Sequence, residues 1–447
     1  MNKTPCRTIP ARPVLASALA LALAFAPPAT AATINWNATG TTGSWDAAAN
    51  WSGNIVPVAA DTAVINNNAG AVVGAGVNAA ATELSVANAN TGSLLITGNG
   101  RVDISTLSRI GRDGGGAGSV LVNGSGFWGN NALTIGHNGS GTLAIRGSGS
   151  VSATGEANIG MNANSSGHVT VGDAGVWQTT GLFVGRTGAG ALILEGAGRV
   201  TNTGNATLGN GAAGLGIVRV SGSALWENTG ALTVAAGGTA SLDIDGTGTV
   251  ANAAATIGNS ANSSGTVTVA GHGVWKSTGN LIVGNGGAGV LGITGDGAVS
   301  NAAATIGSAS AGTGAATLSG NAAWASTGNL VVASNGRGTL ALGAAASATA
   351  ASIRVGENTA SLGEVTVGGA SLLQSGNTLN VGQSGTGTLH VTDSGTVINA
   401  AGNVNIGSNA SGVGTVRVSG TGVFKSAVTL YAGNSGTGAL IIEDDAL

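Results

Sequence analysis

The chain has 447 residues, a mass of 42.1 kDa and a formal charge of −3, with 82 glycines, only 7% charged residues and only 3% aromatic ones. It has no Gly-X-Y period, which excludes collagen, and its 43% hydrophobic residues exclude the charged, aliphatic-poor composition of disordered chains. So few titratable side chains leave little material for acid–base or metal chemistry.

Residues 1–31 read as a secretory signal. Lys3, Arg7 and Arg12 form a positive segment, and Val14 to Ala26 is an apolar run too short to span a bilayer. Ala29-Thr30-Ala31 supplies the small residues of a cleavage site, so the cut is placed between Ala31 and Ala32. The competing reading, a buried N-terminal helix, would run directly into Pro27-Pro28 and a turn-rich stretch. Cleavage removes Cys6, the only cysteine, and leaves 12 basic against 18 acidic residues, a net charge of −6. The mature chain thus has no disulfide and no basic patch for nucleic acid, and no transmembrane helix is expected in it.

Residues 32–77 hold Trp36, Trp45 and Trp51, followed by Pro57 and Asp61, and lack the pattern of the remainder. This stretch reads as an N-terminal cap region, since a solenoid needs ends with a different outer face.

Residues 78–447 are repetitive. Trp128, Trp177, Trp226, Trp275 and Trp324 stand 49 residues apart, and Leu373 and then Phe424 continue the series. Each unit divides into two similar segments of 24 or 25 residues, one closed by the aromatic residue and the other by a valine such as Val200 or Val250. Each segment contains two short runs with apolar residues at i and i+2, the strand period, and glycines follow them where bends are needed. No helical period runs for a useful length.

This pattern predicts an all-β parallel β-helix (β-solenoid) with 24–25 residues per coil and a 49-residue double-coil repeat. Every interior strand then has partners on both sides, so proline is excluded, and none occurs after Pro57. From residue 78 there is room for roughly 15 coils and a rod of about 70 Å, at ~4.8 Å per coil. The tryptophans are expected to form a structural ladder that fills one corner. The competing reading is an exposed stripe for stacking on sugars.

Candidate chemistry is sparse. Arg146, Glu195, Asp245 and Thr294 occupy equivalent positions in successive units, two coils apart, too far for a tight carboxylate pair. Asp243 and Asp245 flank Ile244 and read as a solvated face. His137, His168, His272 and His390 share no metal-ligand spacing, and the Asp113 glycine loop does not recur as calcium-binding repeats require. No catalytic, cofactor-binding or metal-binding residue is assigned, and no cofactor is expected.

Two pieces of text carry a family resemblance. One is the repeat itself, Trp-x₃-Gly-x-Leu-x-Val-Gly followed by Gly-x-Leu-x-Ile-x-Gly-x-Gly-x-Val. The other is the head, Trp36-Asn37, Gly43-Ser44-Trp45-Asp46, Asn50-Trp51-Ser52-Gly53 and Val56-Pro57. Both resemble the repeats of type V secretion (autotransporter) and PEP-CTERM-associated proteins, over most of the mature chain. The resemblance implies an exported Gram-negative β-helical passenger at the cell surface, outer membrane or outside the cell. Neither the terminal β-barrel of the first group nor the Pro-Glu-Pro anchor of the second is present. Glu443-Asp444-Asp445-Ala446-Leu447 falls inside a repeat, so the natural protein is expected to continue.

The functional expectation is therefore a non-enzymatic surface protein for adhesion or cell contact, its partner an unknown surface ligand such as a glycan or a host or neighbouring cell. Two alternatives stay open. One is a carbohydrate-active β-helix enzyme, a lyase or glycoside hydrolase. The other is a structural stalk for a missing C-terminal domain.

Overall fold

The computed structural model describes Met1, residues 31–37, Gly40 and residues 42–447. Residues 2–30 of the signal segment, with Cys6, lie outside the described residues, whereas Ala31 is described and exposed. What is described is an all-β parallel β-solenoid of about 16 turns, with about 25 residues per turn and no α-helix. No described helix is long and apolar enough to cross a membrane.

One turn shows how the sequence is used. Thr239–Ile244 is a six-residue strand, Thr249–Asn252 a four-residue strand and Ala255–Ile257 a three-residue strand. The six-residue strand stacks in parallel on Ser264–Val269 of the next turn, with Thr239 against Ser264 and Ile244 against Val269. The other two stack likewise, Val250 on Trp275 and Ile257 on Val283. Alternate residues point inward, so Leu242, Ile244, Val250, Ala255 and Ile257 are all buried. Stacked turn on turn, these positions make columns of Val, Leu, Ile and Ala, and the core is one continuous cluster from Ile34 to Val418.

Two expectations need correction. The turn has three strands, not two runs: the residue of the tryptophan series does not close a segment but sits inside a strand of its own, as Trp226 does in Leu225–Asn228. In the early turns this strand and the next are fused, as in Arg101–Ile110, and a register shift between Ile104 and Leu107 marks the bend. The ladder also begins before residue 78. Thr33–Asn35 pairs with Thr62–Val64, and Thr42–Ser44 with Gly70–Val72. Residues 32–77 are thus built on the same stack. They differ in their filling: Trp36 and Trp45 pack edge-on against Trp51 at 4.8 and 4.7 Å, and the Trp51 indole N–H donates to the Trp45 carbonyl at 2.7 Å.

The hydrogen-bond ladder continues through the bends. Asp245 N donates to Val220 O at 2.9 Å, Thr247 N to Gly222 O at 2.8 Å and Asn259 N to Ala235 O at 2.9 Å. A proline in these loops would lose a bond as surely as in a strand, which accounts for its absence from loops too.

Gly284 marks a corner that strongly favours glycine, with only alanine replacing it at equivalent corners such as Ala235 and Ala333. Its φ is +74°, and a Cβ there would collide with the Thr313 carbonyl of the next turn. Gly292, on the outer face of a strand, has nothing within 4 Å of a Cβ. Gly284→Val is expected to cost at least ~1–3 kcal/mol for the left-handed backbone alone. Gly292→Val is expected to stay within ~0.5 kcal/mol of the parent. Urea denaturation followed by circular dichroism checks both.

Candidate functional site

The tryptophan series forms one inward column. Reading along the stack, Val102, Trp128, Val151, Trp177, Val200 and Trp226 are in register. Val250, Trp275, Val299 and Trp324 continue the column, which then passes through Ala348, Leu373 and Val397 to Phe424. The five indoles are at most 2% exposed, so they offer no stacking surface to a sugar. Large and small residues alternate because an indole fills the space that a valine on the next turn leaves, keeping the interior dense.

A buried indole N–H needs an acceptor. Trp226 donates to Asn202 Oδ1 at 2.8 Å, Trp275 to Asn252 Oδ1 at 2.7 Å and Trp324 to Asn301 Oδ1 at 2.7 Å. Each asparagine sits on the preceding turn, two residues after that turn's valine. Its amide then donates onward, Asn202 to Asn228 Oδ1 at 2.5 Å, Asn252 to Ser277 Oγ at 3.0 Å and Asn301 to Ser326 Oγ at 3.0 Å. The 49-residue period is therefore a two-turn unit: Val-x-Asn on one turn and Trp-x-Ser or Trp-x-Asn on the next.

The exceptions follow the same logic. Ile104 and Ala153 stand where Asn would serve Trp128 and Trp177, and both of those indole N–H groups lack a partner. Ala350 stands where Asn would serve residue 373, which is Leu373 and needs none. Asn399 precedes Phe424, and its Oδ1 is left without a donor. Our reading of the sequence named the tryptophans and missed the asparagines. Their signal was present as Val200-Thr201-Asn202, Val250-Ala251-Asn252 and Val299-Ser300-Asn301.

On the outside, acids and bases pair off. Arg109 meets Glu83 at 3.0 Å, Arg354 meets Glu357 at 3.0 Å and Arg417 meets Glu443 at 2.6 Å. Arg146 reaches Glu195 at 2.5 Å although they lie two turns apart. The guanidinium crosses Gly172 on the intervening turn, in the space that a Cβ would occupy. Two turns are thus too far for paired carboxylates but within reach of an arginine. These groups are about 36–42% exposed, so the pair contributes only ~0–1 kcal/mol.

The remaining candidates are not brought together. Asp243 lies beside Arg219 in register, and Asp245 approaches the same arginine at 3.7 Å. His272 stands 3.4 Å from Asp296, His137 Nδ1 lies 3.0 Å from Arg112 O, and His168 and His390 are on other turns. Among the described residues no group of three His, Cys, Asp or Glu side chains could hold a metal ion.

No family model matches the chain, and no curated protein matches it. Among solved structures it is similar to the crystal structure of a TibC-catalyzed hyper-glycosylated TibA55-350 fragment. Identity is 15%, the TM-score is 0.35, and the match covers 93% of this chain and 98% of that one. At that score the likeness carries no functional argument.

Asn252→Ala would strand the Trp275 indole N–H and is expected to cost ~1–3 kcal/mol. Ala153→Asn would give the Trp177 indole an acceptor and is expected to add ~0.5–1.5 kcal/mol. Trp226→Ala is expected to cost ~3–5 kcal/mol. Urea midpoints of the purified variants read all three.

Proposed function

We propose that the protein is an exported, non-enzymatic β-solenoid passenger whose long outer surface makes contacts at the bacterial cell surface. The observation that supports this is the disposition of its charges. Arginines and carboxylates neutralise one another in exposed pairs along the stack, as Arg146 with Glu195 and Arg417 with Glu443, rather than converging in one groove. A glycosidase needs two carboxylates facing one substrate bond, roughly 5–9.5 Å apart, with at least one free to act as an acid. The interior also suits a scaffold. Each turn buries a similar set of side chains, so its length can be extended without changing the outer face.

Export is carried by the signal-like segment at residues 1–31, and the autotransporter and PEP-CTERM resemblance of the repeats agrees with it. The partner is proposed to be a glycan or a protein on a host or neighbouring cell.

Expression of the whole chain in a Gram-negative host tests the reading. The expected product lies outside the cytoplasm and begins at Ala32 on N-terminal sequencing. Incubated with pectin, alginate or peptidoglycan glycan strands, it is expected to release neither reducing ends nor unsaturated sugars. A full-length cytoplasmic product would overturn export, and catalytic release of either product would overturn the non-enzymatic reading.

A further inference from the structure

The six-residue strands stack into one sheet whose outer face is unlike the rest of the surface. Between residues 59 and 427, every exposed large hydrophobic residue stands on it: Leu215, Ile217, Val290, Leu362 and Val413. All five occupy the first or third position of their strands, so they form two adjacent columns. The nine strands from Leu215–Val220 to Val413–Val418 pair residue for residue with no register shift. Small residues such as Ala288 and Ala315 leave a shallow trough of about 490 Å³ in the middle of this face.

Two charges lie at the edge of that trough, and neither has a partner. Arg337 opens the strand Arg337–Leu342, and Glu364 is the third residue of Leu362–Val367 on the next turn. The other nine described arginines each lie within 4.0 Å of a carboxylate, whereas Arg337 and Glu364 make no ion pair or side-chain hydrogen bond.

We propose that this face is a self-association surface, on which a second copy packs about a two-fold axis so that Arg337 of each copy meets the partner's Glu364. This deepens the contact-surface reading above by naming the partner. Three features carry it. A two-fold interface requires that if residue i meets j, then j meets i. One unpaired cation and one unpaired anion, set diagonally one turn apart, satisfy that requirement, because an axis bisecting the diagonal superposes each on the other. An axis between the strands of Arg337 and Glu364 sets at most six of the nine strands, Ala288–Ile293 to Val413–Val418, against their counterparts: five inter-strand steps of ~4.8 Å by a strand of ~20 Å give about 480 Å² per copy, the size of a weak, concentration-dependent contact. Finally, the backbone of these strands is already saturated by the ladder, so association must go through the face. The face has Thr, Ala and Val to interdigitate at sheet-packing distance and no Phe, Tyr or Trp to stack on a sugar.

Sedimentation equilibrium of the purified chain is the test. The expected result is a concentration-dependent dimer that weakens with salt. Arg337→Glu and Glu364→Arg should each weaken it at least ~10-fold by placing like charges opposite each other. The double variant R337E/E364R should restore the parent affinity to within about threefold, since it exchanges the pair. Circular dichroism should be unchanged in all three, because both side chains are exposed. A chain that stays monomeric, or a double variant no better than the single ones, would overturn the proposal. Association in solution is independent of export, so a monomer would leave the passenger reading standing.

Discussion

Backbone N–H groups on each turn donate to carbonyls on a neighbouring turn, in the strands and also in the bends, as where Thr247 N meets Gly222 O at 2.8 Å. That ladder fixes the turns at ~4.8 Å and in register, so each residue stacks on its equivalent. The other properties descend from it. A proline would interrupt the bonds, and none occurs after Pro57. A side chain at Gly284 would strike the next turn's backbone, so corners stay glycine-rich. A hydrophobic position, once chosen, recurs as a column.

Within that frame the interior solves one polar problem repeatedly. An indole fills the corner better than any aliphatic side chain, but it brings an N–H that cannot be left dry. An asparagine on the preceding turn answers it with one oxygen, and a serine or second asparagine takes up the amide. The network runs for at most two turns and then begins again. A single missing member therefore leaves one orphan, as at Trp177, and does not unravel the column.

The surface obeys a different balance. Solvated ion pairs contribute little stability, so the pairing of arginine with carboxylate matters more for what it removes, namely free charge. Most of the rod becomes electrically quiet. Against that background, a sheet face of Thr, Ala and exposed aliphatic residues that carries one unpaired arginine and one unpaired glutamate is the surface feature best able to select a partner.

Much of this was legible in the sequence because a ladder converts sequence period into spatial column. The 49-residue tryptophan spacing, the period-2 runs and the missing prolines dictate a parallel solenoid, and they place Trp128 to Trp324 in one corner. What the sequence left undecided depends on relations between turns. Along the tryptophan column the distance from a residue to its neighbour on the next turn varies from 23 residues (Trp128 to Val151) to 27 (Val397 to Phe424), because loops of different length absorb the difference. That variation hides which asparagine serves which indole. It also hides the reach of Arg146 over Gly172 to Glu195. The bend between the four- and three-residue strands holds a glycine in some turns, such as Gly230 and Gly279, and only alanines in others, such as Ala253-Ala254, so the third strand left no uniform punctuation to read. Composition and period determined the coil. Only the stacking of coils decided which side chains meet, because those partners are close in space while lying a full turn apart in the chain.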